Sequence, residues 1–79
     1  MKLIKIEYFA VLREIAGRDA EELQTDAGTP AGLYAQLGQR YAFPAQGSMK
    51  VAINDEFEDW DTILNDGDAV VFIPPVAGG

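Results

Sequence analysis

The chain has 79 residues and contains no cysteine and no histidine. Without cysteine there is no disulfide, no thiolate nucleophile and no thiolate ligand for an iron–sulfur cluster. Without histidine the chain lacks the usual acid–base side chain near neutral pH and the commonest metal ligand. So short a chain also has little interior left for a substrate pocket once its core is filled. Together these absences argue against a self-contained enzyme.

Positive charge is scarce as well: 6 Lys and Arg residues stand against 13 Asp and Glu residues, for a net charge of −7. Such a surface repels phosphate backbones and anionic lipids, so we expect neither nucleic acid nor a membrane as a partner. It favours a protein partner with a basic face. No signal peptide or apolar stretch of membrane-spanning length is found, so the cytoplasm is the expected location.

Hydrophobic residues make up 48% of the chain, which is enough for one core. Their periodicity and the turn residues between them predict alternating strands and helices. In chain order the elements are a strand at 2–9, a short helix at 10–16, a strand at 20–24, a long helix from Thr29 to Tyr41, a strand at 49–54, an edge strand at 56–60, a helical turn at 61–64 and a last strand at 69–73. This order predicts an α+β fold, a mixed sheet with one main helix packed across it.

Strand alternation predicts which side chains face the core. In the first strand every second residue from Ile4 to Tyr8 shares one face, which leaves Phe9 on the polar face. In the last strand Val70 and Phe72 are expected to point inward. The first helix is expected to bury an apolar stripe formed by Val11, Leu12 and Ile15.

The last six residues, Pro74-Pro75-Val76-Ala77-Gly78-Gly79, are expected to form a flexible tail on a folded domain of residues 1–73. The two prolines have no N–H to donate to a sheet, and a proline pair favours an extended exit. Fully extended, six residues reach at most about 20 Å, far enough to enter another protein's active site. A chain end of small residues with no role is the plainer interpretation of Gly78-Gly79. The prolines, the strand leading into them and the absence of other chemistry favour a functional tail.

Glycines suit such a tail because a backbone without Cβ atoms passes through a narrow channel. The α-carboxyl at Gly79 is an anion at neutral pH and resists nucleophilic attack until it is activated. An ATP-dependent enzyme could activate it as an acyl adenylate, which a sulfur nucleophile could then displace. The folded domain would carry the product to a second enzyme.

The C-terminal sequence from Phe72 to Gly79 resembles that of the small, sulfur-carrier subunits of molybdopterin synthase. The segments Tyr8–Gly17, Val51–Asn54 and Leu64–Asp68 resemble the same family. The resemblance implies the β-grasp, ubiquitin-like fold. It further implies that Gly79 is adenylated by an activating enzyme that uses ATP, and is then converted to a thiocarboxylate with sulfur from a donor. It implies no permanently bound cofactor and no metal.

The resemblance also implies how the carrier acts. The tail residues Pro74, Pro75, Val76, Ala77 and Gly78 would insert into the large subunit, which supplies the catalytic side chains. Sulfur would pass from Gly79 to cyclic pyranopterin monophosphate, in an expected heterotetramer with the large subunit.

The surface expected to dock on a partner is an apolar patch near the exit of the tail. Phe9 and Ile73 come together there if the first and last strands are neighbours. Phe57 occupies a family position that joins the same patch. Clustered exposed apolar residues are typical of a partner site. The alternative is that these side chains are singly exposed, or that Phe57 belongs to the core.

Three other functions remain open from the sequence. The chain could be a sulfur carrier of the kind that serves thiamine synthesis, or a ubiquitin-like modifier that forms isopeptide bonds through Gly79. It could also be a plain interaction domain with an inert tail.

Overall fold

The computed structural model describes residues 1–75. In chain order its elements are β1 (Lys2–Tyr8), α1 (Ala10–Ala16), β2 (Ala20–Thr25), α2 (Pro30–Tyr41), β3 (Lys50–Ile53), β4 (Glu56–Glu58) and β5 (Ala69–Ile73). The predicted order of the five strands and the two helices is confirmed within these residues. No helix within residues 1–75 is long and apolar enough to cross a membrane.

The five strands form one mixed sheet in the order β2-β1-β5-β3-β4. β5 runs parallel to β1 and antiparallel to β3, and the two outer pairs are antiparallel. The last strand is therefore the central one, hydrogen-bonded on both sides, while β2 and β4 form the two edges. This arrangement confirms the predicted mixed α+β sheet.

The long helix α2 begins and ends with the local chemistry that its sequence predicts. The Thr29 hydroxyl accepts a hydrogen bond from the Gly32 N–H at 3.2 Å, and Pro30 occupies the first turn. These are favoured positions for threonine and proline at a helix start. The helix ends where Ala42 adopts a left-handed conformation at φ 58°. One side of α2 packs on the sheet through its buried residues Pro30, Leu33, Tyr34 and Leu37.

The core lies between α2 and the inner face of the sheet. Its members are the apolar side chains Ile4, Ile6, Tyr8, Leu12, Leu33, Tyr34, Leu37, Met49, Val51, Ile53, Leu64, Val70 and Phe72. The inward orientation predicted for β1 and β5 is confirmed, because all five predicted residues of these strands belong to this cluster.

The predicted apolar stripe of α1 is wrong for two of its three residues. Leu12 is buried, whereas Val11 and Ile15 are 42% and 38% exposed. The helix has only seven residues and lies in the connection between β1 and β2, at the end of the sheet. So short a helix covers the core with one side chain, and its other apolar residues remain at the surface.

The helical turn predicted at 61–64 is also wrong. The Thr62 N–H bonds to the Asp59 carbonyl in a single turn, and the chain then continues without regular structure. The Leu64 N–H bonds to the carbonyl of Gly28 at 2.9 Å, in the segment that precedes α2. Partners distant in sequence replace the local helical bonds.

Candidate functional site: the tail root and the outer face of the sheet

The tail leaves from the central strand of the sheet. β5 ends at Ile73, and the next two residues, half-buried Pro74 and exposed Pro75, are the last that the structure describes. The predictions for Val76, Ala77, Gly78 and Gly79 fall outside the described residues. Because hydrogen bonds to β1 and β3 hold β5 on both sides, the sheet fixes the point at which the tail leaves the fold.

An apolar notch of about 290 Å³ adjoins this point. Its lining includes Val11 of α1 and Met49, together with both prolines of the tail. Val11, one of the exposed residues of α1, therefore borders the tail root. The root of the tail is flanked by apolar surface.

The outer face of the sheet, opposite to α2, carries the predicted patch. Strand register places Phe57 opposite Ala52, and Ala52 opposite Val71. Ile73 follows Val71 on the same face by strand alternation, because successive side chains point to opposite faces. These four residues form a continuous apolar row that runs from the β4 edge to the tail root.

Phe9 lies at the same end of the sheet as Ile73. Tyr8 is paired with Phe72 in the parallel ladder, so the residues that follow them, Phe9 and Ile73, are also neighbours. Phe9 is 44% exposed and Phe57 is 71% exposed, and neither belongs to the core. The structure therefore brings Phe9, Ile73 and Phe57 onto one surface, with Phe57 joined to the other two through Ala52 and Val71.

Ala52 is a member of this row that was not predicted. The signal for it lies in the turn between β3 and β4. Asn54 and Asp55 both have positive φ, at 53° and 71°. Two such residues make a two-residue hairpin turn of the kind that matches strand twist. This turn sets the register that places Phe57 on Ala52.

Charge is divided between the two edges of the sheet. Near β2, Arg13 lies 3.7 Å from Asp19, while Arg18 and Arg40 lie 3.4 and 3.6 Å from Glu21. The segment that contains β4 carries five carboxylates, those of Asp55, Glu56, Glu58, Asp59 and Asp61. Within residues 1–75 none of these five forms an ion pair. The negative charge is therefore least compensated beside Phe57.

Glu21 is the most enclosed acidic group near the β2 edge, with a side chain that is 6% exposed. One of its oxygens accepts hydrogen bonds from the hydroxyls of Tyr8 and Tyr41, both at 2.6 Å. Burial pushes the pKa of Glu21 upward, but the two hydroxyls and the charges of Arg18 and Arg40 outweigh it and hold that pKa below its ordinary value. Burial and the same carboxylate raise the pKa of Tyr8 and Tyr41 above that of free tyrosine.

This cluster is structural. It joins β1, β2 and α2 on the inner side of the sheet, opposite to the outer face. In the part of the chain that the structure describes, no three acidic residues come together in a group that could hold a metal ion. The described residues thus present an exposed apolar face and a tail root held by the central strand.

The chain has the architecture of a ubiquitin-like β-grasp carrier. A long helix crosses the inner face of a mixed sheet of this strand order, and a tail leaves the central strand. The particular family follows from the sequence. The chain belongs to the ThiS family, which it matches over residues 6–79.

The relatives agree with this assignment. The chain is 38% identical to the molybdopterin synthase sulfur carrier subunit of Escherichia coli over 81 residues, which cover 98% of this chain and 100% of the relative. It is also 38% identical to the subunit of the same description in Mycobacterium tuberculosis, with 96% of each chain covered. The fold is that of a Pyrococcus furiosus protein described as molybdopterin converting factor subunit 1, with a TM-score of 0.80, 29% identity, and 96% and 100% of the two chains covered.

Proposed function

We propose that the protein is the sulfur-carrier subunit of a molybdopterin synthase. The observation that carries this proposal is the position of the tail. The central strand β5 leads directly into Pro74-Pro75 and the Gly-Gly end, in a chain that has no cysteine or histidine of its own. Full-length similarity to relatives described as molybdopterin synthase sulfur carrier subunits supports the same role.

The chemistry resides on the main-chain carboxyl of Gly79. A partner enzyme transfers AMP from ATP to this carboxylate and releases pyrophosphate. A sulfur nucleophile then attacks the acyl carbon, AMP leaves, and a thiocarboxylate remains. No cofactor stays on the protein: ATP is used by the activating enzyme, and sulfur is the cargo. The sequence agrees with this route, because a carrier that holds sulfur on its backbone needs no cysteine.

Sulfur delivery takes place on the large subunit. The thiocarboxylate sulfur bonds to an oxygen-bearing side-chain carbon of cyclic pyranopterin monophosphate, and the carbon–oxygen bond at that carbon breaks, so that the oxygen group leaves. Water then attacks the acyl carbon, the carbon–sulfur bond of the carrier breaks, and the Gly79 carboxylate returns. The dithiolene of molybdopterin contains two sulfur atoms, so each product needs two such deliveries. This requirement is consistent with a heterotetramer that holds two carriers. The large subunit supplies the acid–base groups that the carrier lacks.

Docking uses the outer face of the sheet. The apolar surface formed by Phe9, Ile73 and Phe57 lies on the side from which the tail leaves, so a partner that binds it also meets the tail. Pro74 and Pro75 set the direction of exit, and the small residues beyond them enter the partner's channel. The reactions that we propose belong to the cytoplasm, where ATP is supplied.

A protein modifier is the second candidate. The chain is 26% identical to the small archaeal modifier protein 1 of Methanosarcina acetivorans, with a TM-score of 0.80 and coverage of 100% and 98% of the two chains. A modifier would use the same activated Gly79 but pass it to a lysine amine. Immunoblots of cell extracts would then show lysine-linked conjugates in place of a single free species. A carrier for thiamine synthesis would instead transfer its sulfur to a thiazole synthase.

Reconstitution tests the proposal. The thiocarboxylated protein is mixed with the molybdopterin synthase large subunit of the same organism and cyclic pyranopterin monophosphate, and dithiolene formation is measured. We expect product with the full chain and none after deletion of Gly78-Gly79, which leaves the described fold intact. Product formation by the deleted chain would contradict the proposal. So would sulfur transfer to a thiazole synthase but not to the pterin.

A further inference from the structure

A groove runs along the β3–β4 edge of the sheet, beside the apolar row of the outer face. Its volume is about 510 Å³. The residues that line it are Met49, Lys50, Val51, Phe57, Glu58, Asp59 and Trp60. We call it the β4 groove.

Two aromatic side chains border the β4 groove. Phe57 is 71% exposed, the most exposed aromatic side chain within residues 1–75. Trp60 is held in place: its indole N–H donates to the Met49 carbonyl at 3.3 Å, and its ring stacks on Phe72 with centroids 5.7 Å apart. The groove thus combines one fixed and one exposed aromatic wall.

Two carboxylates also line the groove, those of Glu58 and Asp59. Both are exposed, and within the described residues neither forms an ion pair. The neighbouring acidic residues of the same segment add to the negative potential there. Lys50 is the one basic residue of the lining, so the groove as a whole stays negative.

This combination fits a cationic side chain with an apolar stem. An arginine places its methylene groups against apolar surface, its flat guanidinium against an aromatic ring, and its N–H donors on carboxylates. We propose that the β4 groove receives an arginine of the protein that binds the outer face. This proposal rests on the proposed function, because that partner is the large subunit, and it identifies a contact outside the apolar patch.

The positions of the opposite charges within the molecule favour this occupant. The arginines of this chain lie near the β2 edge, where Asp19 and Glu21 face them, and so do not neutralise the groove. Positively charged groups on a partner would therefore meet unpaired carboxylates at the β4 edge. Complementary charges at such a site speed association and fix the orientation of docking.

Equilibrium binding to the large subunit tests the proposal. The groove variant is Glu58→Gln/Asp59→Asn, and the matched control is Glu22→Gln/Asp26→Asn at the opposite edge. Each variant removes two exposed carboxylates and changes net charge equally. At about 50 mM salt, where screening is weak, we expect the groove variant to bind roughly tenfold more weakly and the control to change less than about twofold. Circular dichroism melts verify that both variants fold.

A further variant, Phe57→Ala, alone and combined with the groove variant, tests whether one cation contacts both the ring and the carboxylates. If one arginine touches both, the combined variant loses less affinity than the product of the two separate losses. Its control is Ile63→Ala, which removes an apolar side chain that is 68% exposed and does not line the groove. Losses that multiply fully would overturn the proposal, because the ring and the carboxylates would then meet different groups. Equal losses in the groove and control double variants would also overturn it.

The experiment separates this inference from the proposed function. If the wild-type chain binds the large subunit and delivers sulfur, but the groove variant binds with unchanged affinity, only the groove proposal is refuted. A wild-type chain that does not bind the large subunit refutes both.

Discussion

Glu21→Gln is the substitution whose cost the structure defines most fully. The carboxylate is enclosed and accepts two tyrosine hydroxyls at 2.6 Å. Hydrogen bonds to a charged group contribute about 1.5–3 kcal/mol each, and a neutral amide oxygen retains roughly half of that. The amide also turns N–H donors toward Tyr8, Tyr41 or the two arginines. Arg18 and Arg40 are half-exposed, so solvent screens their charges, and their ion pairs with Glu21 contribute little to the cost of the substitution.

The expected loss is therefore about 2–3 kcal/mol of unfolding free energy at neutral pH. That is a large share of the roughly 4–12 kcal/mol expected for a domain of this size. Urea unfolding measures it, with the fluorescence of Trp60, the single tryptophan of the chain, as the signal. The matched control is Glu22→Gln, the adjacent exposed carboxylate, for which we expect a change within about 0.5 kcal/mol. Equal effects of the two substitutions would refute the structural role of the cluster.

The effect also has a defined pH dependence. Because folding holds the pKa of Glu21 below its ordinary value, the unfolded chain binds the proton more readily than the folded one. The stability that Glu21 contributes is thus fully present above its unfolded pKa and is lost as the pH falls through its folded pKa. The difference between the wild type and Glu21→Gln should narrow on acidification below about pH 5. A difference that widens instead would show that the pKa is raised.

Three further predictions concern α2 and the tail. Gly38→Ala should raise the unfolding free energy by up to about 1 kcal/mol, because a Cβ there meets no atom within 4 Å and alanine favours a helix; a loss in urea unfolding would contradict this. Thr29→Ala should lower it by about 1 kcal/mol through loss of the helix cap, with Thr29→Ser as the control that keeps the hydroxyl. An uncleaved extension beyond Gly79 should abolish sulfur transfer to the pterin without changing the melting temperature. Normal transfer by such a chain would contradict the proposed role of the carboxyl.

Where local chemistry decides the conformation, the sequence is a sufficient guide. Thr29 and Pro30 begin α2 because the hydroxyl caps an N–H and the proline needs none. Gly17 ends α1 at φ 74°, a left-handed conformation that glycine adopts without strain. β5 is bounded by a tight turn and by Pro74, and its observed limits match those predicted. Strand alternation places Phe9 on the polar face, and its side chain is exposed. Phe57 is also exposed, and the role of both residues in docking stays a prediction.

Where contacts distant in sequence decide, prediction from the sequence is incomplete. The segment 61–64 forms no helix because the Leu64 N–H bonds to Gly28, a pairing that no local pattern reveals. The apolar residues of α1 suit a buried stripe, but so short a helix at the end of the sheet buries only Leu12. The division of charge between the two edges depends on strand order, as does the row that joins Phe57 to Ile73.

Intact-mass analysis of the protein after incubation with ATP, its activating enzyme and a sulfur donor tests the central claim most directly. We expect that one oxygen of the Gly79 carboxyl is exchanged for sulfur, and that fragmentation places the change on the last residue. If the activating enzyme is shown to be active and the chain still keeps its original mass, the claim that Gly79 carries sulfur is contradicted.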